Sequence, residues 1–216
     1  MLALYGHPFS SYTWKAQIAL HALDLPYDFR LLGEDQPEHA AFVAREGGPY
    51  GLFPVLDDGG TIVFEATAII EHLALKRPGT LLPLNGHEAV RARMMDRVFD
   101  NYVMTVMQGA VNEYIRHPDA PDAAVLCDVR ERLHRSYAWL EKWLGGRPLA
   151  DGRVTLVECA AAPSLFYADW VEPVGDGYPL LAAWRAHLNA LPEVIPCIEA
   201  ARPYRPWFPP GAPDRD

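Results

Sequence analysis

The chain is short of the residues that several kinds of chemistry require. It has three cysteines in 216 residues, Cys127, Cys159 and Cys197, far apart and odd in number. With no C-x-x-C pair, neither a dithiol redox centre nor a zinc knuckle is supported, and the thiols read as free or buried groups of a reducing compartment. Basic residues are the minority, 19 Lys and Arg against 28 Asp and Glu, giving a net charge of −9. A nucleic-acid partner needs a basic face, so this balance argues against one. No window approaches the ~18 consecutive apolar residues of a membrane span. The N-terminus Met1-Leu2-Ala3-Leu4-Tyr5-Gly6 lacks a basic region and a long apolar stretch, so it does not read as a signal peptide. The expected compartment is the cytoplasm, with no membrane partner. The eight histidines are scattered without H-E-x-x-H spacing, so no metal is expected. G-x-G-x-x-G, P-loop and G-x-S-x-G motifs are absent from the sequence.

What is present is a chain of ordinary globular balance, half of it apolar, long enough for one large domain or two small ones. Leu2 to Tyr5 is an apolar run ended by Gly6 and Pro8, a buried strand. Trp14, Ile18 and Ala22 recur every four residues and predict a helix beginning near Thr13. Tyr27 to Leu31 reads as a second strand and Pro37 to Ala44 as a weaker helix. Phe53–Leu56 and Thr61–Phe64 are β-rich runs joined by Asp57-Asp58-Gly59-Gly60, a hairpin. Ala66 to Lys76 predicts a helix with Ala66, Ile69, Ile70 and Leu73 on one side.

Strand signals stop at Leu84. Val90, Met94, Val98 and Tyr102 form a ladder of fours on a long helix expected to reach Arg116. Leu126, Val129, Leu133, Tyr137, Leu140 and Leu144 mark the next helix, closed by Gly145-Gly146. Thr155 and Glu158 have capping-box spacing before another apolar run. Helices over Leu180–Leu191 and Glu193–Ala201 follow, then a Pro- and aromatic-rich tail expected to be irregular. The expected architecture is an α/β unit of order β-α-β-α-β-β-α over residues 1–77, a linker over 78–86 and an all-α unit over 87–216.

Three places in the first unit can carry chemistry. Ser10 and Ser11 precede a helix, where hydroxyls ordinarily cap free N–H groups. They could also stabilise a bound thiolate. Lowering a thiol from ~8.5 to ~6.5 takes about 3 kcal/mol. A helix N-terminus supplies about 0.3–2 kcal/mol and a hydrogen bond to an ion about 1.5–3 kcal/mol. The two together suffice. Phe53-Pro54 reads as a strand start; a cis bond there would turn the Phe53 backbone outward to pair with a peptide-like ligand. Glu65-Ala66-Thr67 lies where a strand meets a helix, whose free N–H groups suit a carboxylate while Glu65 suits an ammonium.

These three signals, in this order on one β-α-β-α-β-β-α unit, resemble the cytosolic glutathione transferase family, and the likeness extends over nearly the whole chain. Ser10-Ser11-Tyr12-Thr13-Trp14-Lys15 with Ile18-Ala19-Leu20 is similar to the serine-type string S-S-C-x-W-R…I-A-L of the zeta class. Phe53-Pro54-Val55-Leu56 resembles the V-P-x-L segment with its cis-proline. Glu65-Ala66-Thr67-Ala68-Ile69-Ile70 resembles E-S-x-A-I, and Thr155 to Glu158 resembles the capping box of the helical domain. The resemblance implies a thioredoxin-like, glutathione-binding domain, a C-terminal helical bundle that supplies the second-substrate pocket, and a homodimer. It implies that Ser10, or next to it Ser11, donates to the glutathione sulfur, with Tyr5 the tyrosine-type alternative. Phe53 and Pro54 would hold the cysteinyl part, and Glu65 with Ala66 and Thr67 the γ-glutamyl end. The activity it implies is conjugation of glutathione, as co-substrate, to a small electrophile in detoxification. A non-catalytic protein binding glutathione or a hydrophobic ligand on the same fold is the alternative. Thiol reduction would need a cysteine in residues 1–77, which has none.

The chain departs from the family at two places in this region. Ala66 stands where Ser is usual, removing a hydroxyl worth about 1–2 kcal/mol, or five- to thirtyfold in affinity. Thr67 is the nearest hydroxyl to replace it. Leu52 stands where Gln or Lys is common. Tyr12 replaces the zeta-class Cys, so zeta-type isomerase chemistry is not implied.

Overall fold

In the computed structural model the described residues are 1–145 and 152–216. They fall into two compact units, Met1–Arg93 with Val154–Cys159, and Met94–Arg153 with Ala160–Asp216.

The first unit holds β1 (Leu2–Gly6), α1 (Ser11–Ala22), β2 (Tyr27–Leu31), α2 (Pro37–Glu46), β3 (Val55–Asp58), β4 (Thr61–Phe64) and α3 (Ala66–Ala74), the expected order. The sheet order is β2-β1-β3-β4, with β1 parallel to β2 and antiparallel to β3, and β3 antiparallel to β4. The hairpin is tighter than expected. Asp57 and Asp58 belong to β3, and Gly59 and Gly60, both at positive φ, make the turn that side chains would strain. Asp57 Oδ1 accepts from Gly60 N at 2.7 Å.

Helix α1 is buried almost all round. Leu4, Trp14, Ile18, Leu20, Leu56, Ile69, Ile70 and Leu73 are fully enclosed, each aliphatic side chain contributing about 1.5–3 kcal/mol by burial. Helix α1 packs on α3. It starts at Ser11 rather than Thr13 because Ser10 takes the cap position: its Oγ accepts from Thr13 N at 3.2 Å. Gly6 lets this helix end lie against β1, since a Cβ there would meet Thr13 side-chain atoms at 2.6 Å.

The expected long helix is α4 (Gly86–Val98), of which Met94 onward belongs to the second unit, a π-helical segment over Phe99–Met104, and α5 (Thr105–Arg116). The ladder of fours is not the buried side of this helix. Val90, Met94 and Tyr102 are 63%, 50% and 59% exposed, whereas Ala92, Met95, Phe99 and Val103 form the buried side. Helix α6 (Ala123–Leu144) buries Val129, Leu133, Tyr137, Leu140 and Leu144, as the spacing predicts. Gly145 caps it; Gly146 lies outside the described residues. Helix α7 (Leu156–Val171) opens on the expected capping box. Glu158 Oε2 accepts from Thr155 N at 2.9 Å, and Thr155 Oγ1 accepts from Val157 N at 3.2 Å. Helices α8 (Pro179–Asn189) and α9 (Ile195–Ala201) follow. The tail is not irregular throughout: Arg202–Trp207 forms a 3-10 turn. Among the described residues no helix is long and apolar enough to cross a membrane.

Candidate active site

Register brings the three sequence signals to one end of the sheet. Tyr5, next to last in β1, pairs with Val55, the first residue of β3, and Val55 pairs with Phe64, the last of β4. The chain therefore leaves β1 toward Ser10, enters β3 from Phe53-Pro54 and leaves β4 into Glu65 at the same end.

Ser10 is half-buried and Ser11 is 8% exposed. The Ser10 Oγ that accepts from Thr13 N keeps its own O–H for another acceptor, since a hydroxyl carries one donor and two lone pairs. The segment before it is held firmly. His7 Nδ1 accepts from Phe9 N at 3.1 Å, Ser10 N donates to His7 O at 3.0 Å, and Trp14 Nε1 donates to Pro8 O at 2.6 Å. Burial pushes the His7 imidazole below its ordinary pKa, favouring the neutral form. Tyr5 is occupied differently: its ring stacks on Phe42 at 4.1 Å and meets His39 edge-on at 5.6 Å.

The Phe53–Pro54 peptide is cis, and Phe53, 38% exposed, precedes the β3 ladder. Leu52 is exposed. Glu65 caps α3 with φ +69° and ψ 116°, a conformation uncommon for a residue with a side chain. Such an outlier costs about 1–3 kcal/mol, and functional sites are where they gather. Ile69 N donates to Glu65 O at 2.9 Å, so the N–H groups of Ala66, Thr67 and Ala68 stand before the helical ladder begins. Ala66 is 4% exposed. Thr67 Oγ1 accepts from Lys15 Nζ at 3.2 Å. Lys15 has no exposed surface. Its burial was not legible from the sequence, where a lysine in a helix reads as solvent-facing.

In the second unit Phe166, Tyr167 and Trp170 are 1%, 3% and 6% exposed and pack with Phe208, so these aromatics serve the core. Tyr102 instead borders a groove of about 520 Å³ with Val98, Val106, Arg135 and Trp139. Within the π-helical segment, the Tyr102 carbonyl accepts from Ser136 Oγ at 2.7 Å. Among the described residues no cluster of His, Cys, Asp or Glu is arranged to hold a metal ion.

A four-stranded mixed sheet with a helix-capping serine, a cis-proline before β3 and a strained acidic cap on α3, followed by a helical unit, defines a class of two-part glutathione-transferase folds. Comparison with known proteins agrees. Residues 4–80 match the model of the glutathione S-transferase N-terminal domain, and residues 102–192 that of the C-terminal domain. The chain belongs to the glutathione S-transferase family. It is 27% identical to a probable maleylacetoacetate isomerase of Vibrio cholerae, over 88% of this chain and 92% of the relative. It is 26% identical to a zeta-class glutathione S-transferase of Euphorbia esula, over 89% and 87%. The fold matches a glutathione S-transferase from Methylobacillus flagellatus solved with glutathione bound, at TM-score 0.79 and 22% identity over 91% of this chain and 98% of that one.

Proposed function

We propose that the chain is a glutathione transferase that joins the glutathione thiolate to a small electrophile. The observation that carries the reading is the meeting of Ser10, Phe53-Pro54 and Glu65 at one end of the sheet. The thioredoxin-like domain, residues 1–77, holds glutathione. Ser10 donates its hydroxyl proton in a hydrogen bond to the sulfur and keeps it anionic, with Ser11 beside it on the same helix end. The main chain of Phe53, fixed by Pro54, pairs with the cysteinyl residue. Glu65 accepts from the γ-glutamyl ammonium, and the N–H groups of Ala66 and Thr67 receive its carboxylate. The thiol proton leaves to solvent as the thiolate forms. Its sulfur lone pair then makes the S–C bond while the electrophile's leaving group, or its conjugated π pair, takes the electrons.

Homodimer formation is part of this reading. Tyr102 and Trp139 border one groove of the second unit and are exposed on the single chain, as is Met94, and large exposed apolar patches mark protein interfaces. Light scattering should return twice the 24.1 kDa chain mass. Cytoplasmic placement and a role in detoxification go with the same reading.

The test is a thermal-shift titration with glutathione, followed by turnover of a chloro-nitroaromatic. Bound ligand must stabilise by mass action. No stabilisation at millimolar glutathione would sink the proposal; stabilisation without turnover of any electrophile would leave only binding. The whole-length likeness to proteins named maleylacetoacetate isomerases makes that substrate the second to assay.

A further inference from the structure

We propose that Lys15 is a positioning residue that sets the separation between the two helix ends on which glutathione is stretched. This rests on the transferase reading above. A lysine with no exposed surface is unusual, because an ammonium loses its hydration on burial and must be compensated by well-placed partners. An apolar side chain of the same length would fill the space without that loss. What the lysine supplies is a directed bond: its Nζ donates to Thr67 Oγ1 at 3.2 Å, across 52 residues of sequence.

The two ends of that bond sit close to the two ends of the ligand site. Lys15 lies on α1, five residues after the Ser10 cap, a rise of about 7.5 Å along the helix. Thr67 lies in the first turn of α3, two residues after the Glu65 cap. Helices α1 and α3 pack directly on each other. The bond therefore ties the helix whose N-terminus meets the thiol to the helix whose N-terminus meets the γ-glutamyl group. Glutathione spans both contacts as one molecule, so it can satisfy them together only if their separation is held. Misplacement by about 1 Å is enough to cost up to 10²-fold in rate. The bond uses only a lone pair of the Thr67 hydroxyl and fixes the oxygen at the start of α3.

The test uses the full chain with Lys15→Met, Lys15→Arg, Thr67→Val and Thr67→Ser. KM for glutathione should rise about tenfold in K15M and T67V. The pH profile of kcat/KM should move to higher pH, with kcat at saturating glutathione and high pH nearly kept. K15R and T67S should recover most of the loss. The double variant K15M/T67V should be no worse than K15M alone, since both remove one bond. If K15M only lowers the melting temperature, with KM and pH profile unchanged well below it, Lys15 is merely structural and the inference is overturned. Should K15M not fold, T67V carries the same decision, because it keeps the shape at position 67. The two proposals fail differently: a wild type unaffected by millimolar glutathione overturns both, whereas a wild type that binds, with T67V and K15M indistinguishable from it, overturns this one alone.

Discussion

Replacing Ser10 separates its two tasks. Its Oγ accepts from Thr13 N at 3.2 Å, and its O–H is the proposed donor to the thiolate. Ser10→Ala removes both. Loss of the cap costs about 1 kcal/mol, within a range of 0.5–2, which lowers the melting temperature by about 2–4 °C in a chain of this size. Loss of the donor removes about 1.5–3 kcal/mol of preference for the thiolate, which raises the bound thiol by about one to two pKa units. Ser10→Gly separates the two effects, because glycine caps within a few tenths of a kcal/mol of serine. The pH dependence of kcat/KM should therefore move to higher pH equally in S10A and S10G, while only S10A loses the full stability increment. At pH 6.5 both variants should lose about five- to fiftyfold in kcat/KM, and at pH 9 most of that loss should vanish as the thiol ionises unaided. If the pH profile of S10G matches wild type, Ser10 is only a helix cap and the donor is Ser11 or another group.

Glu65→Ala and Glu65→Gly should both weaken glutathione binding by about 10- to 150-fold, the value of a lost charge-assisted hydrogen bond. Their stabilities should diverge, because only glycine relieves the φ of +69°; calorimetry should find E65G melting above E65A. Ala66→Ser restores the hydroxyl common in the family and should tighten glutathione binding five- to thirtyfold by isothermal titration. No gain would mean that position 66 does not face the ligand. Asp58 sets an acid limb of the stability curve. Hydrogen bonds from Lys76 and His72 hold its carboxyl below the ordinary value. A depressed carboxylate contributes stability above its unfolded pKa and loses it as pH falls through the folded value. Asp58→Asn should therefore cost up to about 1 kcal/mol at pH 7 and almost nothing near pH 2, read by urea denaturation across that range.

The sequence made the first unit legible because its signals are local. The Gly59-Gly60 turn, the serine at the start of α1 and the strand-to-helix junction at Glu65 each act within a few residues. The face of α4 was not legible, for a physical reason. A ladder of Val90, Met94 and Tyr102 has the same period whether it meets the chain's own core or another surface. The π-helical segment over Phe99–Met104 was equally hidden, since one wider turn leaves no compositional mark among ordinary helix formers. The burial of Lys15 leaves no sequence mark, since charge ordinarily faces water, and its bond to Thr67 joins residues 52 positions apart.

The candidate site itself depends on something no local signal contains, the pairing register. Ser10, Pro54 and Glu65 are separated by 44 and then 11 positions, and each has an ordinary local explanation as a cap or a strand start. They meet because Val55 pairs with Tyr5 on one side and with Phe64 on the other. Leu56, fully buried, fixes that register: a slip of one residue would turn its side chain to the other face of the sheet. Losing one fully buried aliphatic side chain costs about 1.5–3 kcal/mol, so the β3 core residue selects the alignment on which the site depends. The chemistry at the end of the sheet is therefore set by an apolar side chain that touches no ligand. Leu56→Ala should cost about 2–5 kcal/mol of stability and, by loosening the register, weaken glutathione binding in the fraction that remains folded. A folded fraction with wild-type glutathione affinity and pH profile would mean that the register is held elsewhere and that Leu56 only fills space.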